Sequence, residues 1–332
     1  MISFLLNANV IDENLFFGTD FSIERKDGVN HIFILNRREA KENTQKWFIK
    51  VKKNVSDLSD KLLLKEVLFY DYWKDKAALL GFAVLPKAYN TNIEYKMGLF
   101  QNNSISVREF LVGYRDAFRL CLAESSFLNR KKNVIKAADA LREFHNTGFD
   151  KENLIETLSP FLDETEIIRS SSALKSLPSL NEFKFSPEYI QQFWKILTIH
   201  RNVIENWIKI SIVPSSKPTL IHGDYRLENI LLDEDDNTKH FFIDFEFWHI
   251  GDIHWDIVIF LFDLKVQFSQ HYTALRGIFL ETYNNGTSLI DDRRLKAVEG
   301  LYNIQQLYSE LTPHNFTLKL QELNDIFGRN KK

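Results

Sequence analysis

The chain has 332 residues, of which 44% are hydrophobic and 26% charged, and its formal net charge is −3. That is an ordinary balance for a globular protein with a sizeable core, and it excludes the broad basic surface that nucleic-acid binding asks for. The single cysteine, Cys121, excludes an intramolecular disulfide framework and any Cys-based zinc cluster.

The start, Met1-Ile2-Ser3-Phe4-Leu5-Leu6, lacks a basic region and turns polar at Asn7, Asn9 and Asp12, a poor signal peptide. No segment is long and apolar enough to span a bilayer, so the cytoplasm is the expected location. Phe21–Arg25 and His31–Leu35 read as two strands around the turn Lys26-Asp27-Gly28-Val29-Asn30, since Asp-Gly favours hairpins. Lys46–Val51 is a third strand by its aromatic and β-branched content. From Ser59 to Trp73 the spacing predicts a helix, with Leu62, Leu63, Val67, Tyr70 and Trp73 near one side. Two more strands are expected at Ala83–Pro86 and Ile93–Met97.

Val107–Leu111 is expected to open a helical region, in which Cys121 reads as a small apolar residue. Asn129 to Thr147 is a strongly amphipathic helix with Val134, Ala137, Ala138, Leu141, Phe144 and His145 on one face, ended by Gly148. Ser170 to Ser179 is polar and reads as loop. Ser186-Pro187-Glu188 opens a further helix, Ser as cap and Pro in the first turn, and Ile190, Phe193, Leu197, Ile204 and Trp207 continue its pattern. The chain is helical again from about Ile253 to its end. The expectation is an α+β protein with a small β-rich lobe, residues 1–100, and a mostly helical lobe, residues 101–332.

The chemistry is concentrated in Ile221-His222-Gly223-Asp224-Tyr225-Arg226-Leu227-Glu228-Asn229, followed after a hairpin by Phe241-Phe242-Ile243-Asp244-Phe245-Glu246. Phosphoryl transfer needs one carboxylate to orient and deprotonate a hydroxyl, and oxygen ligands to hold Mg²⁺ against nucleotide phosphates. Asp224 suits the first task, Asn229 and Asp244 the second, because Mg²⁺ prefers carboxylate and amide oxygens. The bland alternative is that these are hairpin and turn residues, where Asp and Asn are favoured anyway. The acidic tip Asp233 to Asn237 reads as solvated.

These segments, with Gly251-Asp252-Ile253-His254-Trp255-Asp256-Ile257 after them, resemble the aminoglycoside phosphotransferase and choline kinase family. That family is the small-molecule branch of the protein-kinase-like fold. Gly223 stands where a protein kinase has Arg, and Glu246 where it has Gly, as the small-molecule branch shows. The resemblance implies a two-lobe fold with a nucleotide in the cleft. It also implies transfer of the γ-phosphate of ATP, with Mg²⁺, to a hydroxyl of a small molecule such as an aminoglycoside, choline, ethanolamine or a sugar. It makes Asp224 the catalytic base and Asn229, Asp244 and Glu246 the metal residues. His222 and Asp256 support the catalytic loop. Lys50 is the phosphate lysine, Glu66 its partner, and Gly28 and Asn30 the turn over the triphosphate. Relatives often carry two or more small residues in that turn, whereas this chain has only Gly28, which leaves close backbone approach possible.

The adenine is expected near Met97-Gly98-Leu99-Phe100. Asp150, Glu152, Asp163, Glu164, Glu166 and Asp263 are candidate acidic walls for a cationic acceptor. Trp248 and His249 either line the acceptor pocket or pack in the core, the latter being preferred for Trp248. One competing reading is a nucleotide-binding or pseudokinase-like interaction module. Another is a protein kinase, against which stand Gly223, the short stretch from Asp244 to Asp256 and the lack of an A-P-E-like segment.

Overall fold

The computed structural model describes residues 20–27, 30–38, 46–52, 62, 65–66, 68–70, 72–73, 105–109, 114–123, 126–163, 167–168, 186–212, 219–233, 240–285 and 289–328. Four strands lie in the first third of the chain, β4 following the helical 62–73 segment: β1 (Asp20–Asp27), β2 (Asn30–Arg38), β3 (Lys46–Lys52) and β4 (Ile105–Glu109). They form one antiparallel sheet in that order, with Asp27 opposite His31 across the first turn. Lys50 lies in an inner strand, its backbone opposite Ile32 on one side and Ser106 on the other.

β4 corrects the expectation of a helix starting at Val107. Ile105 and Val107 alternate with polar neighbours at period two, and the far side of β3 offers them a partner. The helical part therefore begins at Ala117, after a short strand β5 (Tyr114–Asp116). The expected strands at Ala83–Pro86 and Ile93–Met97, the adenine segment 97–100, and the loop 170–179 lie outside the described residues. So do Gly28 and Val29 of the first turn.

Every described position between 62 and 73 is helical, as the spacing predicts, and Leu68, Phe69, Tyr70 and Trp73 are buried. Beyond β5 come α1 (Ala117–Ala123) and α2 (Phe127–Asn146). α2 starts two residues earlier than Asn129 because Ser126 caps it, its Oγ accepting the Asn129 N–H at 3.2 Å. Val134, Ala137, Ala138, Leu141 and Phe144 are fully buried along one face. Cys121 is buried in α1 as read, and burial pushes its thiol up to about 12, so it is no nucleophile.

α3 (Lys151–Leu158) follows, then α4 (Glu188–Ile199) and α5 (Arg201–Ile212). The single helix expected after Ser186 is thus two, broken at His200. Pro187 rather than Ser186 is the cap residue, with ψ at 148°, and no side chain caps the first turn. Between α5 and the last helices run β6 (Thr219–Ile221), β7 (Ile230–Asp233), β8 (His240–Phe242) and β9 (His249–Gly251). β7 lies between β5 and β8 in one sheet, while β6 pairs with β9. The chain then continues in α6 (His254–Gln267), α7 (Tyr272–Asn284), α8 (Asp292–Ser309) and α9 (Phe316–Gly328).

α6 is the central helix of this half: Ile257 to Leu261 are all buried, as expected of a helix surrounded by others. Gly300 of α8 meets Trp207 of α5 so closely that an added Cβ would sit 2.5 Å from the indole. Among the described residues no helix is long and apolar enough to cross a membrane.

Candidate active site

The catalytic loop is held from beneath by one carboxylate. Asp256, in the first turn of α6 and fully buried, accepts the His222 N–H at 2.7 Å and the Gly223 N–H at 2.8 Å. Its Oδ2 also meets His145 Nε2 at 3.0 Å, and His145 Nδ1 meets the Tyr283 hydroxyl at 2.6 Å. Burial alone would raise the carboxyl's pKa, but the bonds from His145 and His222 outweigh it and hold it below the ordinary carboxylate value.

The loop can turn here only because residue 223 is glycine. Its φ is +82°, and a Cβ would sit 2.1 Å from the Phe247 carbonyl oxygen. His222 is fully buried, with Nε2 3.0 Å from the Ile243 carbonyl and the Asp224 N–H directed at Nδ1 at 3.3 Å. Those two bonds fix the Nε2–H tautomer. The histidine therefore ties the catalytic loop to the strand end that carries Asp244.

Asp224 is half-buried and bonded through both oxygens. Asn229 Nδ2 donates to Oδ2 at 3.0 Å and to the Asp224 backbone carbonyl at 2.8 Å. Arg226 Nε lies 2.7 Å from Oδ1 in an ion pair. Burial raises the carboxyl's pKa, Arg226 and His222 oppose this, Asp244 adds to it, and the result lies above the ordinary value. A carboxylate with raised proton affinity is the better proton acceptor. Because both acceptors bind the Asn229 nitrogen, its amide oxygen is turned elsewhere and is available as a ligand.

The strand pair brings the candidate metal residues together. The Ile243 N–H donates to the Asn229 carbonyl at 3.1 Å, so Asn229 and Asp244 end up at the same end of the β7–β8 hairpin. Asp244 takes a left-handed conformation, φ 69° and ψ 53°, which turns the chain sharply away from β8. Such a conformation is tolerated by Asp and is often found where function demands it. Glu246 follows, buried.

Glu66 is fully buried, and carboxylate oxygens of Glu66, Asp244 and Glu246 lie within 4.8 Å of one another. The segment 62–73 is clamped to the metal loop. Phe69 stacks on Phe245 at 3.9 Å, and Trp248 Nε1 donates to the Lys65 carbonyl at 2.8 Å. Three crowded carboxylates are a donor set that suits a hard divalent cation. Trp248 is fully buried, so the core reading holds for it. His249 is buried too, its Nδ1 2.9 Å from the Phe247 carbonyl.

Residues 112–298 match the phosphotransferase enzyme family. The chain belongs to that family. Among solved structures, the phosphotransferase is similar to the GDP and kanamycin complex of APH(2")-IIia, at 15% identity over 98% of this chain and 99% of that one, TM-score 0.56. It is similar to the GDP complex of wild-type aminoglycoside 2'-phosphotransferase-IIIa, again at 15% over 98% and 99%, TM-score 0.55. It is also similar to Plasmodium vivax ethanolamine kinase, at 14% over 98% and 86%, TM-score 0.51. At such identities the likeness establishes the fold, a protein-kinase-like α+β fold of two lobes. Among curated proteins none matches the sequence.

The motif is also bonded by residues that it does not single out. His145 stood on the apolar face of its helix, and only the packing of α2 against α6 shows that it bonds Asp256. Arg226 lies inside the motif, and its ion pair with Asp224 is visible only in the folded loop. Asp263, a candidate acceptor wall, instead accepts the Leu227 N–H at 3.0 Å and so caps the short turn Leu227–Asn229. Asp150 is likewise engaged, capping α3 through the Asn153 N–H at 2.9 Å. Glu152 and Asp163 are exposed, and Glu164 and Glu166 lie outside the described residues.

Proposed function

We infer that this phosphotransferase moves the γ-phosphoryl group of ATP to a hydroxyl of a small molecule, with Mg²⁺ bound. The observation that carries the reading is the join between base and metal loop. Asn229 bonds the Asp224 carboxylate through its nitrogen at 3.0 Å and sits where its oxygen can serve beside Asp244. A set of hairpin residues without chemistry would not need both a half-buried carboxylate held by Asn229 and three carboxylates within 4.8 Å.

In this reading the acceptor hydroxyl binds against Asp224, which orients it and takes its proton as the acceptor oxygen bonds to phosphorus. The bond from phosphorus to the bridging oxygen breaks, and ADP leaves. Asn229, Asp244 and Glu246 hold the cation, which when bound neutralises charge on the phosphate oxygens. Lys50 steadies the nucleotide phosphates with Glu66 as its partner, and Gly28 and Asn30 cover the phosphates. The sheet with the 62–73 segment is the nucleotide side, and the helical remainder supplies the catalytic loop and the acceptor side. The acceptor is an aminoglycoside, choline, ethanolamine or sugar-like compound, the range suggested by the family and by its kin of the same fold.

The test is transfer of labelled phosphate from ATP with Mg²⁺ to a panel of those acceptors, wild type beside Asp224→Ala. A labelled acceptor that vanishes in the variant is the expected result. Wild type that neither labels an acceptor nor turns over ATP, yet is folded, would sink the reading in favour of an interaction module.

A further inference from the structure

Behind the catalytic loop a chain of buried polar groups runs away from the site. Tyr283 stands in the last turn of α7, His145 in the last turn of α2 and Asp256 in the first turn of α6. All three are buried, Tyr283 and Asp256 fully. The Tyr283 oxygen lies 2.6 Å from His145 Nδ1, and His145 Nε2 lies 3.0 Å from Asp256 Oδ2. Asp256 in turn accepts the His222 and Gly223 N–H groups, and Asp224 is the next residue.

The directions of these bonds follow from what burial permits. A phenol is protonated at neutral pH, and its buried hydrogen needs an acceptor. Among the described residues that acceptor is His145 Nδ1. With this lone pair engaged, the imidazole carries its proton on Nε2 and donates to Asp256. Asp256 Oδ2 thus takes two donors, His145 and the His222 N–H, while Oδ1 takes the Gly223 N–H. A carboxylate held at both oxygens does not turn about its Cβ–Cγ bond, and a fully satisfied buried network is rigid. The far end is anchored as well, since Arg142 of α2 donates to the Thr282 carbonyl at 2.7 Å and ties α7 to α2 beside Tyr283.

We propose that Tyr283 is a remote positioning residue for the base: its hydroxyl sets the tautomer of His145, His145 locks the Asp256 carboxylate, and Asp256 fixes the loop that carries Asp224. This rests on the phosphotransferase reading, in which Asp224 orients the attacking oxygen. Small misplacements of a reacting group carry rate penalties up to about a hundredfold.

The first readout needs no substrate. NMR of the imidazole nitrogens should show His145 in the Nε2–H form, its signal identified by its loss in His145→Gln. Hydrogen exchange of the protein without nucleotide should show the His222 and Gly223 amides opening severalfold faster in Tyr283→Phe, with α8 and α9 unchanged. The second readout is MgATP turnover with water as acceptor. Wild type, Tyr283→Phe, His145→Gln, His145→Leu and the Tyr283→Phe/His145→Leu double variant are compared for kcat and KM for ATP. Expected is a kcat loss of roughly tenfold for His145→Leu and severalfold for Tyr283→Phe, with KM for ATP within about twofold. His145→Gln should lie nearer wild type than His145→Leu, because its amide nitrogen still donates towards Asp256. The double variant should be no slower than His145→Leu alone, because Tyr283 acts only through His145.

Wild-type kcat with unchanged exchange at His222 and Gly223 in Tyr283→Phe would overturn the proposal. An Nδ1–H imidazole at His145 would do the same, as would losses that multiply in the double variant. Exchange that rises equally along the whole chain, with kcat of the folded fraction unchanged, would reduce the three groups to packing and overturn it as well. Wild type that neither hydrolyses ATP nor labels an acceptor would instead remove the phosphotransferase reading. The NMR and exchange results would still judge the anchoring of the loop, so the two failures are distinguishable.

Discussion

At the scale of single residues, the site depends on a few groups whose surroundings permit no exchange. Gly223 shows this on the backbone side, since its positive φ and the nearby Phe247 carbonyl exclude any side chain. Asp256 shows it on the electrostatic side. It is fully buried yet holds two backbone N–H groups and His145, and its pKa is depressed. A carboxylate depressed in the folded state contributes stability that is fully present above its unfolded pKa, about 4. That stability is lost as the pH falls below this value and through the folded pKa. Asp256→Asn offers an NH₂ where an acceptor is needed, and breaking such a buried network costs about 3–5 kcal/mol at neutral pH. Urea unfolding across a pH series should show that difference from wild type shrinking below pH ~4. A difference that stays constant down the acid limb would mean that Asp256 is not the ionised anchor.

At the scale of elements, the candidate metal site is assembled by three pieces of chain that are far apart in sequence. The β7–β8 hairpin aligns Asn229 with Asp244, α6 carries Asp256 beneath the loop, and the segment 62–73 brings Glu66. That segment docks through Phe69, which stacks on Phe245 at 3.9 Å and is buried. Phe69→Ala would leave a cavity at this junction and should destabilise the fold by about 3–5 kcal/mol. Denaturant unfolding of the variant measures this directly. A loss below about 1 kcal/mol would show that the stack does not clamp the segment to the loop. The pairing of α5 with α8 has the opposite character, because Gly300 lets Trp207 approach closely where a larger residue would push the helices apart.

At the scale of the whole molecule, a nucleotide bound by both lobes adds its binding free energy to the folded state. With MgATP at about a hundred times its dissociation constant, the gain is roughly 2.7 kcal/mol. A melting curve should therefore rise with MgATP, and rise less when EDTA removes the Mg²⁺. An unchanged curve under both conditions would remove nucleotide binding from the proposed function.

The sequence by itself determined the chemical vocabulary of this protein. His222, Asp224, Asn229, Asp244 and Asp256 are close in sequence, so fixed spacing across one loop, one hairpin and one helix start is enough to reveal them. Strong helical periodicity likewise located α2 and the 62–73 segment. Tertiary structure alone decided what each vocabulary item touches. Ile105–Glu109 became a strand because β3 offered it a partner, and a short segment's own propensity is too weak to resist that. His145 and Asp263 came to the loop because α2 and α6 pack around it. Contacts across helix faces leave no mark at a fixed sequence interval, so only the packed molecule shows them.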